Sequence, residues 1–334
     1  MKIVSVIILL FSSFLVAAQP VQSLKWLVDS SLSIMEQHAI NRKQVNWSEI
    51  RTAVYKDTKG LTERDSVLYK LKSVFRQIDD YHGGFQVKNK YLKWEEGRRS
   101  VVVDKLIDSA IKYAPQILVK RFDNIGYFRV PGGTTKNVSY VTQMLIDSLC
   151  TIDPVTIDGW IIDLRLNTGG NSWFMLNSLS WLIGDGQAGG IRYTDGRADD
   201  KIRIKDTRVI GYNQTFSIEK NTCGLADKNL PVVVLMGPKT ASSAEVVALA
   251  FKGRKNTILM GEPTAGYVTN NNSFPLAPDI TLVLATGYMI DRNGNAYNSS
   301  LLPDIEVVGG DSPFLLDQDK KVLEAIKWLQ LKQH

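Results

Sequence analysis

Two short polar segments carry the residues best suited to chemistry. In T-A-S-S-A-E, Thr240 to Glu245, serines stand where an apolar strand gives way to a helix. The strand is P-V-V-V-L-M, Pro231 to Met236; Gly237-Pro238 marks a turn, and E-V-V-A-L-A-F reads as helix. A hydroxyl at such a junction lies beside the unpaired N–H groups of the helix start, which favour developing negative charge. That setting suits acyl transfer, with Ser242 as nucleophile. A serine of ordinary basicity needs a base, and the chain has three histidines. His334 is the last residue, and His38 falls within a helical pattern as a packing or surface residue. His82 lies in D-D-Y-H-G-G-F, Asp79 to Phe85, after the apolar-periodic run Leu68 to Ile78. A neutral imidazole can take a serine proton and return it to a leaving amine. Gly83-Gly84 removes bulk beside the ring. On residue chemistry alone, a structural histidine at a helix end fits His82 as well as a base does.

A third segment could hold the oxyanion. W-I-I-D-L-R, Trp160 to Arg165, reads as a buried parallel strand; N-T-G-G-N breaks it, and W-F-M-L-N-S-L-S-W-L-I continues as helix. A Gly-Gly turn at such a junction offers backbone N–H groups to a tetrahedral intermediate. The same glycines also fit tight packing alone. A phosphate site is discounted: G-x-x-x-x-G-K-[ST] does not occur, and the one G-x-G-x-x-G, Gly184 to Gly189, follows a helical pattern instead of joining a strand to a helix. Asp163 and Arg165 read as a structural ion pair, and Asn171 as a polar contact to substrate. Glu245 stands three residues after Ser242, as in a capping box, and both a capping and an active-site role are open to it.

Together, three segments resemble the tail-specific, or C-terminal processing, serine peptidases. They are T-A-S-S-A-E with G-E-P-T-A-G-Y downstream, D-G-W-I-I-D-L-R-L-N-T-G-G-N (Asp158 to Asn171), and S-S-L-L-P-D-I-E-V (Ser299 to Val307). The resemblance spans roughly Ile125 to Val307. Well-known members carry a lysine base after the G-E-x-T-x-G turn, where this chain has Tyr267. A tyrosine with a pKa of about 10 is a poor base at neutral pH. A second branch, with the tricorn-type and nisin-resistance-type peptidases, has a D-x-H motif whose histidine is the base. Asp80 and His82 match it. Asp80 stands too near in sequence to be assumed to orient the ring. The resemblance implies an oxyanion hole of the Gly169 or Gly170 amide plus that of Ser243, a supporting Glu245, and a Thr264 that shapes the site. It also implies an α/β fold, a Clp protease/crotonase-like spiral core preceded by an N-terminal helical region. About 40 residues separate Phe85 from Ile125, too few for the PDZ domain of the lysine-dependent members. The implied function is a serine endopeptidase acting on extended peptides or protein C-terminal tails. The alternative is a non-catalytic peptide- or lipophile-binding protein on the same fold. An α/β-hydrolase is excluded by the lack of G-x-S-x-G.

The elements that must position these residues follow from pattern. Helices are expected at Leu24–His38, Ser48–Tyr55, Glu63–Gln77 and Val101–Lys112. From Ile125–Val130 onward, strands and helices alternate. Helices fall at Val138–Leu149, Phe174–Ile183, Ala244–Phe251 and Gln318–Leu331. Strands fall at Trp160–Leu164, Gly190–Tyr193, Arg203–Ile210, Val232–Met236 and Thr257–Met260, and Ile280–Ile290 reads as a strand pair. The expected organisation is a signal peptide at 1–18, a helical region at 19–120 carrying His82, and an α/β domain at 121–334. The signal pattern has Lys2, the apolar run Ile3 to Val16, and small residues before Gln19. It predicts export to the periplasm or exterior, with membrane contact only if that segment stays uncleaved. Net charge is +6, from 40 basic and 34 acidic residues, and the basic residues are scattered. Short groups such as Gly97-Arg98-Arg99 make no nucleic-acid footprint. The expected partner is therefore a peptide or unfolded protein. No metal-ligand spacing occurs, so neither metal nor cofactor is expected. Cys150 and Cys223 permit one bridge, but sequence gives no distance.

Overall fold

The computed structural model describes residues 23–94, 104–221, 223–225 and 229–332. The signal pattern, the Gly97–Arg99 group and His334 lie outside the described residues. Three helices open the described chain: α1 (Leu24–His38), α2 (Trp47–Thr58) and α3 (Arg64–Gln77). Ser23 caps α1 by accepting from Trp26 N–H, and Asn46 caps α2 in the same manner. Leu27, Leu32 and Met35 of α1 and Leu68, Leu71 and Phe75 of α3 form one buried face. The chain then turns into a hairpin that the sequence pattern did not reveal, β1 (Gly84–Val87) and β2 (Lys90–Leu92). Helix α4 is Lys105–Tyr113, β3 is Leu118–Phe122 and β4 is Ile125–Arg129.

The remaining elements in chain order are α5 (Val138–Leu149), β5 (Gly159–Asp163), α6 (Ser172–Ile183), β6 (Gly186–Tyr193), β7 (Asp200–Lys205), β8 (Arg208–Gly211), β9 (Gln214–Phe216) and β10 (Val232–Met236). They end with α7 (Ser243–Phe251), β11 (Thr257–Gly261), β12 (Thr269–Ala277), β13 (Ile280–Ile290), β14 (Ile305–Glu306) and α8 (Lys320–Gln330). One sheet runs β14-β11-β10-β5-β4-β3, parallel except for β3. Its inner strands β4, β5 and β10 are buried on both faces, which explains the apolar runs of β5 and β10. Trp160, Ile162, Val232 and Val234 face α5, α6 and α7, whereas Ile161, Val233 and Leu235 face α8. Val232 pairs with Trp160 on one side and Thr257 on the other, which sets β10 at the centre.

The second sheet is antiparallel, in the order β2-β1-β13-β6-β7-β8-β9, with β12 also on β13. Strand β13 joins the two halves of the molecule. Leu282 and Leu284 pack against the α1–α3 core, and Met289 packs into the core around α6 and α7. Two expectations are corrected here. Ile280–Ile290 is a single strand and not a pair: Gly287 makes no turn but gives close approach, since a Cβ there would lie 2.5 Å from Ile191 Cγ2 on β6. Arg203–Ile210 is the reverse case, a hairpin of β7 and β8 turned by Asp206 and Thr207 at positive φ. Strands β3, β9, β12 and β14 also escaped the pattern, being short or polar.

Cys150 and Cys223 are joined in a disulfide with their Cα atoms 5.4 Å apart. Arg165 is buried among Asp163 at 2.8 Å, Asp311 at 2.7 Å and Asp319 at 2.8 Å. Lys321 extends this network to Asp311 and, at 2.6 Å, to Glu262. Burial alone pushes the Asp163 carboxyl up, but the Arg165 charge and hydrogen bonds hold it below the usual range. Among the described residues no helix is long and apolar enough to cross a membrane.

Candidate active site

Ser242 sits between β10 and α7 with φ 54° and ψ −114°, a conformation that a non-glycine residue adopts only under constraint. Glu245, one turn into α7, supplies much of that constraint. Its Oε2 accepts the Ser242 N–H at 2.8 Å. Its Oε1 accepts the Thr264 hydroxyl and, at 2.9 Å, the Gly266 N–H. Thr264 in turn accepts the Leu301 N–H at 2.9 Å. The turn G-E-P-T-A-G and the segment S-S-L-L-P-D are thereby clamped to the start of α7. Burial pushes the Glu245 carboxyl up to about 7, against the lowering effect of Thr264 and the Ser242, Gly266 and Tyr267 amides.

The Gly-Gly turn after β5 lies directly against this junction. A Cβ on Gly169 would meet Ser242 Cβ at 2.9 Å, and one on Gly170 would lie 1.9 Å from the Gly133 carbonyl oxygen. Gly170 also has φ +130°, so nothing larger fits there. Of the two glycine amides left open by sequence, that of Gly169 is engaged, donating to Asn167 Oδ1 at 2.9 Å. The Gly169 carbonyl accepts from Gly133 N–H at 2.8 Å, which turns the Gly170 N–H of the same peptide the other way. The Ser243 hydroxyl donates to the Gly170 carbonyl at 2.8 Å and ties the turn to α7. Asn171 has a different place from the one expected of a substrate contact. Its Oδ1 caps α6 through Trp173 N–H at 2.9 Å, and its Nδ2 faces the Thr135 carbonyl at 3.4 Å.

His82 follows α3 and precedes β1. Asp80 does not touch its ring but accepts the backbone N–H groups of His82 at 3.0 Å and Gly83 at 2.7 Å with one oxygen. Its other oxygen accepts Ala285 N–H at 2.9 Å, which fixes the loop to β13. Burial pushes the Asp80 carboxyl up, opposed by these three amides. The imidazole is oriented from β12, where Thr269 Oγ1 lies 2.9 Å from Nδ1. Tyr91 and Asn271 hold the His82 carbonyl at 3.2 and 3.0 Å. Tyr267 packs beside the imidazole with 5.1 Å between ring centroids. Burial pushes the imidazole down to about 4, against a hydrogen bond to the Thr269 backbone, so the ring is neutral at physiological pH. Thr269 and Asn271 were missed by sequence reasoning, since V-T-N-N-N-S-F forms no motif.

Ser242, Ser243, Gly170, His82 and Thr269 line one cleft of about 660 Å³ between the antiparallel sheet and the first turns of α6 and α7. Residues from both ends of the chain thus meet in one cavity. Among the described residues, no group of three or more His, Cys, Asp or Glu side chains could hold a metal.

Residues 124–307 match the description of peptidase family S41. The chain belongs to peptidase family S41. S41 membership accords with the three motifs read as those of tail-specific serine peptidases. The nisin-resistance protein of Lactococcus lactis subsp. lactis is 30% identical over 175 residues, 52% of this chain and 50% of that protein. The chain spans about half the length of the curated relatives it matches. A lipoprotein of Streptococcus agalactiae has a similar structure, with a TM-score of 0.71 at 23% identity, covering 95% of this chain and 99% of that one. The photosystem II D1 C-terminal processing protease is similar at a TM-score of 0.56 and 14% identity, over 92% and 97% of the two chains. These likenesses bear out the expected S41 α/β fold.

Proposed function

We propose that this S41 member is a serine endopeptidase with Ser242 as nucleophile and His82 as general base. The observation that carries the reading is the cleft itself: a constrained serine at a helix start shares it with a neutral imidazole. With Nδ1 engaged by Thr269, the other ring nitrogen, Nε2, is left to take the Ser242 proton. Ser242 Oγ attacks the scissile carbonyl as Nε2 accepts that proton. The oxyanion sits at the N–H groups of Gly170 and Ser243, where removal of one donor costs about 3 kcal/mol in the transition state. The imidazolium then protonates the departing amine, leaving an acyl-enzyme. Water attacks it, gives its proton to Nε2, and releases the new carboxylate with Ser242 restored.

Tyr267, in place of the lysine of other members, acts as a packing partner of the base and not as a base. The division of labour follows residues 19–120, which present His82, and residues 121–334, which present Ser242. The substrate is an extended peptide, either a protein C-terminal tail or an antimicrobial peptide. The protein works after export, in the periplasm or outside the cell. The test is incubation of the protein with a mixed peptide pool, beside Ser242→Ala and His82→Ala. Cleavage by the wild type that both variants lose is expected; a wild type that cleaves nothing both variants spare overturns the proposal.

A further inference from the structure

The far wall of the cleft is built by β6 to β9, and its chemistry differs from that around Ser242. Along β7, Asp200, Ile202 and Ile204 turn inward while Lys201, Arg203 and Lys205 are exposed. Asp200 is the one carboxylate lining the cleft, and no lysine or arginine lines it among the described residues. The Tyr193 hydroxyl donates to Asp200 Oδ2 at 2.7 Å and fixes the carboxylate at the cleft surface. Tyr193 is the one donor to this carboxylate among the described residues. Tyr212 stands close by: burial, then the neighbouring Tyr193 and Asp200, push its hydroxyl well up. Its ring is braced by Trp173 at 5.4 Å, and Trp173 by Phe216 at 5.1 Å. An aromatic wall thus surrounds one carboxylate in a cleft that no lysine or arginine side chain lines among the described residues.

We propose that Asp200, Tyr193 and Tyr212 form a subsite for a lysine or arginine side chain of the substrate. The proposal deepens the peptidase reading and rests on it for the identity of the ligand as a peptide. A cationic side chain brings the charge that a partly desolvated carboxylate lacks, and the tyrosine rings accept it through their faces. One face of the Tyr193 ring already carries a cation, the Arg197 guanidinium 3.4 Å from its centroid. Arg197 itself pairs with Asp195 at 3.2 Å and does not line the cleft.

The test is a positional-scanning peptide library read in two ways: cleavage by the active protein, and binding to the Ser242→Ala form without turnover. At one position, lysine and arginine are expected to be preferred over norleucine roughly tenfold, as a charge-assisted contact gives. Asp200→Asn keeps the shape and an acceptor for Tyr193, and brings the lysine-to-norleucine ratio to about one. Asp200→Lys turns the preference toward Asp and Glu at the same position. A basic preference unchanged in both variants, or none at any position in the wild type, overturns the subsite. If no peptide is cleaved yet Ser242→Ala still selects basic side chains through Asp200, the subsite stands and the peptidase reading falls.

Discussion

At the residue scale, His82 and Glu245, the two titrating groups near Ser242, pull stability in opposite directions with pH. His82 is lowered from 6.5 to about 4 by burial. The unfolded chain therefore binds this proton first, and the stability held above pH 6.5 is lost as pH falls through 4. Glu245 is raised from 4.5 to about 7, so its contribution is present below 4.5 and lost as pH rises through 7. His82→Gln is accordingly expected to resist acid better than the wild type. The difference should be about 2 kcal/mol between urea midpoints at pH 7.5 and 4.5, allowing for the solvent-facing ring edge. Equal pH dependence in the two proteins would show that the imidazole is not desolvated. Thr269 offers a second test. Thr269→Val removes the hydroxyl at Nδ1, and kcat should fall about tenfold with KM little changed. A variant that loses KM alone would place Thr269 in substrate binding and not in orientation of the base.

At the element scale, the site depends on junctions: β10 to α7, β5 to α6, and α3 to β1. The Gly-Gly turn has no spare volume, because the Gly133 backbone closes over Gly170. Gly170→Ala should therefore displace the turn and lower kcat/KM at least a hundredfold. Near wild-type kcat/KM in that variant would mean that the Gly170 amide does not hold the oxyanion. The α3–β1 junction is held by one carboxylate serving three buried backbone donors. Asp80→Ala leaves them unpaired, and thermal or urea unfolding should show a loss of about 3 kcal/mol, distributed over loop and strand. Asp80 is thus a positioning residue, acting on the path of the chain and not on the imidazole.

At the scale of the whole molecule, segments far apart in sequence are tied together by one disulfide and one buried ion network. The Cys150–Cys223 bridge closes a loop with a sequence separation of 73. Its reduction should lower unfolding free energy by about 2–4 kcal/mol, read as a fall in Tm with dithiothreitol that a Cys150→Ser/Cys223→Ser double variant does not show. Arg165 is the hub of a buried network that ties β5 to the approach to α8. Arg165→Met removes the cation from buried Asp163 and Asp319, while Asp311 keeps Lys321, and is expected to cost about 3–5 kcal/mol in chemical denaturation. A smaller loss would mean that water reaches the network.

Much of this protein was legible in its sequence because the relevant physics is local. The buried strands β5 and β10 read as apolar runs, α5 as a helical period, and Ser242 and Gly169-Gly170 as breaks where strand becomes helix. Those are properties of neighbouring residues. What only the tertiary structure decided involves partners distant along the chain. Thr269 reaches His82 across 187 positions because β12 folds back along β13. The choice between Gly169 and Gly170 depends on Asn167, which accepts the Gly169 N–H, and on the distant Gly133, which donates to the Gly169 carbonyl of the next peptide and so orients the Gly170 N–H. β1 and β2 were invisible because four- and three-residue strands carry too few side chains to show a period. Residue type and local pattern determined which groups can do chemistry; the hydrogen bonds made in the folded chain determined which of them are left free to do it.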